Sequence, residues 1–143
     1  MKQIKNIIWD WNGTIVNDAF LFVEIMNEIL EKKGLPLIAL EDYKNSFCFP
    51  ITRYWKSLGF VFTKKSFEIL NGKFIKKYKE KMLVPKLHDG IIELFQYIDK
   101  QKINQFVLSA SEHSLLKKSV SFYGVSGFFK EIRGVDNLNA IGK

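Results

Sequence analysis

Ile7-Ile8-Trp9-Asp10-Trp11-Asn12-Gly13-Thr14 decides the fold. An apolar run that ends on an acidic residue and turns at once through Gly presents a carboxylate at the tip of a strand, where open α/β sheets place their chemistry. The same residues admit a second reading. Asn-Gly is the strongest two-residue hairpin signal, and Thr14-Ile15-Val16 could return as the partner strand. Two later features favour the strand tip: a second run that ends on a hydroxyl, Phe106-Val107-Leu108-Ser109, and a lysine at the far end, Lys143.

Beyond this stretch the period of the apolar residues changes. Residues 4–9 read as a buried strand. From Asn17 onward, Phe20, Val23, Ile25, Met26, Ile29 and Leu30 form a helical stripe that Gly34 and Pro36 terminate, with Asn17 or Asp18 as its cap. Residues 40–45, 51–58 and 66–82 read as further helices separated by Pro50 and Gly59, and the last carries Lys73, Lys76, Lys77, Lys79 and Lys81 as a solvated face. After Pro85 the spacing predicts a helix over 90–100 with Ile91, Ile92, Leu94, Phe95 and Ile98 inward, then a strand over 104–109. A helix capped by Ser111 follows to about Phe122, where Gly124 stops it, and then a strand over 128–133. Strands alternating with helices are the pattern of right-handed crossovers in a parallel sheet. The expected fold class is α/β. An incomplete Rossmann-like parallel core is formed by 1–15 and 84–143, and an all-helical cap, 16–83, is inserted after the first strand.

Composition narrows the chemistry. Of the 143 residues 47% are hydrophobic and 13 are Phe, enough for a packed core. The net charge of +7 is almost wholly Lys, with Arg53 and Arg133 the only arginines, so nucleic acid is not expected as a partner. A solvated basic face or anionic small-molecule substrates account for the charge. A single cysteine, Cys48, builds no disulfide framework and implies a reducing compartment. Charges interrupt every apolar run before the roughly 18 residues that a membrane span needs, so no membrane partner and a cytoplasmic location are expected. His88 and His113 lack companions at metal-ligand spacing, which argues against zinc.

Asp10-Trp11-Asn12-Gly13-Thr14 resembles motif I, Asp-x-Asp-Gly-Thr, of the haloacid dehalogenase-like (HAD) hydrolases. Ser109 resembles motif II, and Lys143, after Gly134-Val135-Asp136, stands where that superfamily has its motif III lysine. The helical block resembles the C1-type cap of the phosphoglycolate phosphatase-like branch, and residues 47–54 resemble its cap segment. The resemblance implies a phosphatase acting on a small phosphorylated metabolite, with Asp10 attacking phosphorus to form an aspartyl-phosphate. It also implies Mg²⁺, held by the Asp10 side chain and the Asn12 backbone carbonyl, to offset the approach of a carboxylate to a phosphate dianion. Ser109 would donate to a phosphoryl oxygen, Lys143 would add positive charge, and the N–H groups of Trp11, Asn12 and Ala110 would complete the cradle. Arg53 either reaches a second anionic group of the substrate when the cap closes or is a surface arginine.

Two departures from the family pattern shape the expectation. Asn12 stands where these phosphatases have a second Asp, the general acid that protonates the leaving oxygen and later activates the water that cleaves the phospho-enzyme. An amide has no proton to exchange. Such assistance contributes about 10²–10⁴-fold, so turnover is expected to be slow and Asn12→Asp to raise it. The chain also ends at Lys143, ahead of the acidic motif IV that finishes the metal site in the family. The next strand of that family's sheet would lie beside the first, so the chain is expected to pair through the edge at residues 4–9, to exchange elements with a neighbour, or to be a fragment of something longer. The alternative to an enzyme is a non-catalytic phosphate-binding or protein-interaction module that keeps the fold. Dehalogenation of a 2-haloacid is less favoured, because the dehalogenases lack the Asn-Gly-Thr form.

Overall fold

A computed structural model describes residues 4–136 of the protein, so Lys143 lies outside the described residues. Three strands, β1 (Asn6–Trp9), β2 (Asn104–Glu112) and β3 (Glu131–Val135), form a parallel sheet in the order β1-β2-β3. Trp9 is opposite Val107, and Leu108 is opposite Arg133. Because β1 pairs in parallel with a strand almost a hundred residues away, the hairpin reading of Asn12-Gly13 is excluded. The chain instead makes a tight loop after β1. The Ile15 and Val16 amides both donate to the Trp11 carbonyl, at 2.9 and 3.1 Å, and Gly13 sits at φ +73°, the left-handed region that favours glycine.

The loop leads into a helical layer of α1 (Ala19–Glu31), α2 (Leu40–Ser46), α3 (Ile51–Ser57) and α4 (Lys64–Lys81). These helices enclose an apolar cluster that includes Leu21, Ile25, Met26, Tyr54, Trp55 and Phe74. A second cluster, including Trp11, Ile15, Phe95, Val107, Leu116 and Val120, joins the sheet to α5 (Ile91–Lys100) and α6 (His113–Phe122). Phe95 is at its centre, fully buried, with the Trp9, Phe128 and Phe129 rings 5.5, 5.4 and 5.1 Å away. Beside it the buried Gln105 side chain is satisfied at both ends. It accepts from Trp9 Nε1 at 3.0 Å and donates to the Phe95 carbonyl at 3.1 Å, as a buried amide must to avoid a desolvation penalty. Among the described residues no helix is long and apolar enough to cross a membrane.

Several sequence expectations shift. Residues 4–9 are not a fully buried strand. Ile4 and Ile8 are exposed while Ile7 and Trp9 are half-buried, because among the described residues β1 has β2 as its only strand neighbour. In α1, Phe20 is exposed and Leu21 takes its place in the core. In α5 only Ile91, Phe95 and Ile98 face inward, an i, i+4, i+7 stripe that leaves Ile92 and Leu94 outside. Helix α4 starts earlier than predicted because Thr63 and Ser66 form a reciprocal cap. Strand β2 continues past Ser109 to Glu112, so Ser111 is a strand residue and not the cap of α6. A turn of 3-10 helix at Ser126–Phe128 delays β3 to Glu131.

Candidate active site

At the C-terminal ends of β1 and β2, between the sheet and the helical layer, lies a cavity of about 180 Å³. Asp10 is the residue immediately after β1, and Ser109 belongs to β2. Both line this cavity, together with Asn12, Gly13, Asp18, Ala110 and Ser111. The parallel register brings the two strand ends side by side, and this places the carboxylate and the hydroxyl in one crevice. Asp10 Oδ1 accepts the Trp11 amide at 2.8 Å, and Ser109 Oγ accepts the Ser111 amide at 3.1 Å. One local bond fixes the Asp10 side chain just past the end of β1, and the other fixes Ser109 within the last residues of β2.

Asn12 is held on every side. Its Nδ2 donates to Asp18 Oδ2 at 2.5 Å and to the Tyr78 hydroxyl at 2.6 Å. Its Oδ1 accepts from Ser111 Oγ at 2.6 Å and, at the long distance of 3.5 Å, from Ser109 Oγ. Asp18 in turn accepts the Gly13 amide on Oδ1 at 2.7 Å and the Tyr78 hydroxyl on Oδ2 at 3.0 Å. It precedes α1 but makes no side-chain cap there; its carboxylate is spent on the loop instead. Burial raises the Asp18 pKa above its ordinary value, and the bonds from Asn12, Tyr78 and Gly13 only partly offset that cost. Burial, with the nearby Asp18 charge behind it, likewise pushes the Tyr78 hydroxyl up, so it stays protonated and remains a donor.

The other candidate residues are placed as follows. Ala110 lines the cavity. Trp11 does not line it: its indole is buried and donates to Ser119 Oγ at 3.0 Å, and its amide is already engaged by Asp10. Arg53 is exposed on α3 and is not among the lining residues. Lys143 lies outside the described residues. Both histidines engage the backbone, His88 Nε2 lying 3.2 Å from the Gly13 carbonyl and His113 Nδ1 accepting the Gly134 amide at 3.2 Å.

Sequence reasoning missed Asp18, Tyr78 and Ser111 as parts of this site. Asp18 and Ser111 each precede a helical stretch and read as caps. Tyr78 lies one turn beyond Phe74 on the apolar side of α4, so it reads as packing and gives no local signal of a polar role.

The donor set fits a hard cation. Asp10 supplies a carboxylate to the cavity, and the Asn12 backbone carbonyl stands two residues further along the same loop; Mg²⁺ commonly takes one or two protein oxygens and completes its shell with water and substrate phosphate. Among the described residues no three His, Cys, Asp or Glu side chains converge into a metal cage.

A family model described as haloacid dehalogenase-like hydrolase matches residues 7–141. No curated protein matches the chain. Among solved structures, a predicted phosphoglycolate phosphatase from Haemophilus somnus is similar at 19% identity and a TM-score of 0.73, over 94% of this chain and 64% of that one. A predicted phosphatase from Clostridium acetobutylicum is similar at 17% identity and a TM-score of 0.79, over 96% of this chain and 64% of that one. A HAD hydrolase of family IA, variant 3, from Entamoeba histolytica is similar at 16% identity and a TM-score of 0.71, over 89% of this chain and 58% of that one. The chain therefore spans less than two thirds of the length of each of these proteins, and at such identities the likeness is one of fold.

Proposed function

Because the chain belongs to the haloacid dehalogenase-like hydrolase family, we propose that it is a slow, Mg²⁺-dependent phosphomonoesterase acting on a small phosphorylated metabolite in the cytoplasm. The observation that carries this reading is that the Asp10 carboxylate and the Ser109 hydroxyl line one cavity at the carboxyl ends of adjacent parallel strands. A carboxylate oxygen of Asp10 attacks phosphorus, the bond from phosphorus to the ester oxygen breaks, and an aspartyl-phosphate forms. Water then attacks that phosphorus, releasing inorganic phosphate and restoring Asp10. Ser109 Oγ gives up its long contact with Asn12 to donate to a phosphoryl oxygen. The Asp10 side chain and the Asn12 carbonyl would hold Mg²⁺, which when bound would supply the positive charge that lets carboxylate and phosphate approach.

Asn12 sets the pace. Its amide donates both protons within the site and has none to pass to the leaving oxygen, which must draw on water. The same tied amide favours a second reading, a phosphate-binding module without turnover. Phosphate release from a simple phosphomonoester with Mg²⁺, compared between the parent chain and Asp10→Asn, tests the first against the second. Release that vanishes in the variant supports the enzyme. Inorganic phosphate that binds with no turnover supports the module.

A further inference from the structure

Resting on the phosphomonoesterase reading, the walls of the same cavity say what the leaving group is. Above the polar floor of Asp10, Ser109 and Ser111 the cavity is bounded by Phe22, Tyr43, Phe47, Phe49, Phe74 and Tyr78. These rings form a braced set: Phe22 stacks on Tyr43 at 4.5 Å, meets Phe74 at 4.8 Å and Phe47 at 5.9 Å, and Phe47 meets Phe49 edge-on at 5.3 Å. Among the described residues every charged side chain that lines the cavity is acidic, namely Asp10, Asp18 and Glu112. Among the described residues no Lys, Arg or His lines it, and the rim residue Glu112 is paired with Lys79 at 3.4 Å.

Such walls discriminate by charge and by shape. A leaving group that carries its own carboxylate would have to shed water into a largely apolar space beside three acids, with no cation among the described lining residues to receive it. A flat uncharged ring, in contrast, meets aromatic edges and faces at ordinary stacking distances. The volume sets the size. An engineered protein cavity of about 150 Å³ holds a benzene molecule, so the 180 Å³ here is on the scale of a single ring carrying its phosphate. We propose that the substrate is the phosphate monoester of a small, uncharged, single-ring or comparably apolar alcohol, and not of a hydroxy acid.

The test separates recognition from turnover. Calorimetry with Mg²⁺ present compares two non-hydrolysable probes, benzylphosphonate and phosphonoacetate, which share the phosphonate and differ in ring against carboxylate. The expected result is a Kd for benzylphosphonate lower by about tenfold or more, the order expected from burying one ring face. Phe47→Ala should narrow that preference several-fold; Phe49→Ala, at a partly exposed position, should narrow it without disturbing the core. Equal affinities, tighter phosphonoacetate, or no binding of benzylphosphonate overturns the inference. Hydrolysis of benzyl phosphate and phosphoglycolate is then measured by phosphate release. Tight benzylphosphonate with neither ester hydrolysed leaves the pocket assignment standing and sinks the phosphomonoesterase reading. Hydrolysis that favours phosphoglycolate sinks the assignment and leaves the enzyme.

Discussion

The side-chain amide of Asn12 lies 2.5 Å from the Asp18 carboxylate, donating to it. An aspartate at position 12 would therefore face a second carboxylate at hydrogen-bond distance, and two such groups retain a shared proton by raising one pKa.

The expected gain from Asn12→Asp is thus conditional on pH. At neutral pH the single variant should be less stable than the parent by about 1–3 kcal/mol, because the Asp18 acceptor loses its donor. Its activity gain should appear on the acid side, where the pair holds a proton. The exchange Asn12→Asp with Asp18→Asn restores one donor against one acceptor, and should raise phosphatase kcat about 10²-fold or more at neutral pH. Steady-state kinetics on all four members of the cycle check this. Additive effects of the two changes would contradict the coupling.

Asp18 also makes stability depend on pH. Burial raises its pKa in the folded protein above the ordinary 3.8. A raised carboxyl pKa means that the fold favours the protonated form. That contribution is fully present below the unfolded value and is lost as pH rises through the folded one. Asp18→Asn removes the titration. Urea midpoints measured from acid to neutral pH should show the parent losing stability relative to Asp18→Asn across the window that opens just below 3.8 and extends upward. Parallel curves would exclude the effect.

The positions of Asp10 and Ser109 were legible because each ends an apolar run, and a strand tip followed by glycine or small polar residues has few other uses. The helical layer was legible from periodicity alone. What stayed hidden was the partner of Asn12. Asp18 precedes a helix, where an acidic side chain is an ordinary cap, and only the folded loop shows its carboxylate turned toward Gly13 and Asn12 instead. Tyr78 reaches the site from 60 residues further on, across the interface between α4 and the loop, and no local pattern encodes such a contact. The polar Ser109-Ala110-Ser111 end of β2 concealed the length of that strand for the same reason. Its pairing is with β3, not with its neighbours in the chain.

Tyr78→Phe isolates the hydroxyl from the ring. The ring keeps its stacking on Phe74, while Asp18 and Asn12 each lose a partner. The expected loss is about 1–3 kcal/mol, read as a lower denaturation midpoint, with a fall in kcat as Asn12 loosens. A variant as stable and active as the parent would show that the network does not position the site.

Phe95→Ala removes the ring at the centre of the sheet-side core. The residue is fully buried among three aromatic partners, and the loss should be about 3–5 kcal/mol. Chemical denaturation checks it; a loss below about 1 kcal/mol would mean that the cluster collapses to fill the space.

The most direct test of the account is the covalent state of Asp10 during reaction. The protein is mixed with a phosphomonoester and Mg²⁺, quenched in acid within the first turnover, digested, and its peptides are weighed. With an amide at position 12, the acyl-phosphate should persist and the phosphoryl group should be found on the peptide that contains Asp10, absent in Asp10→Asn. Phosphate release with no adduct on that peptide, continuing undiminished in Asp10→Asn, would contradict it.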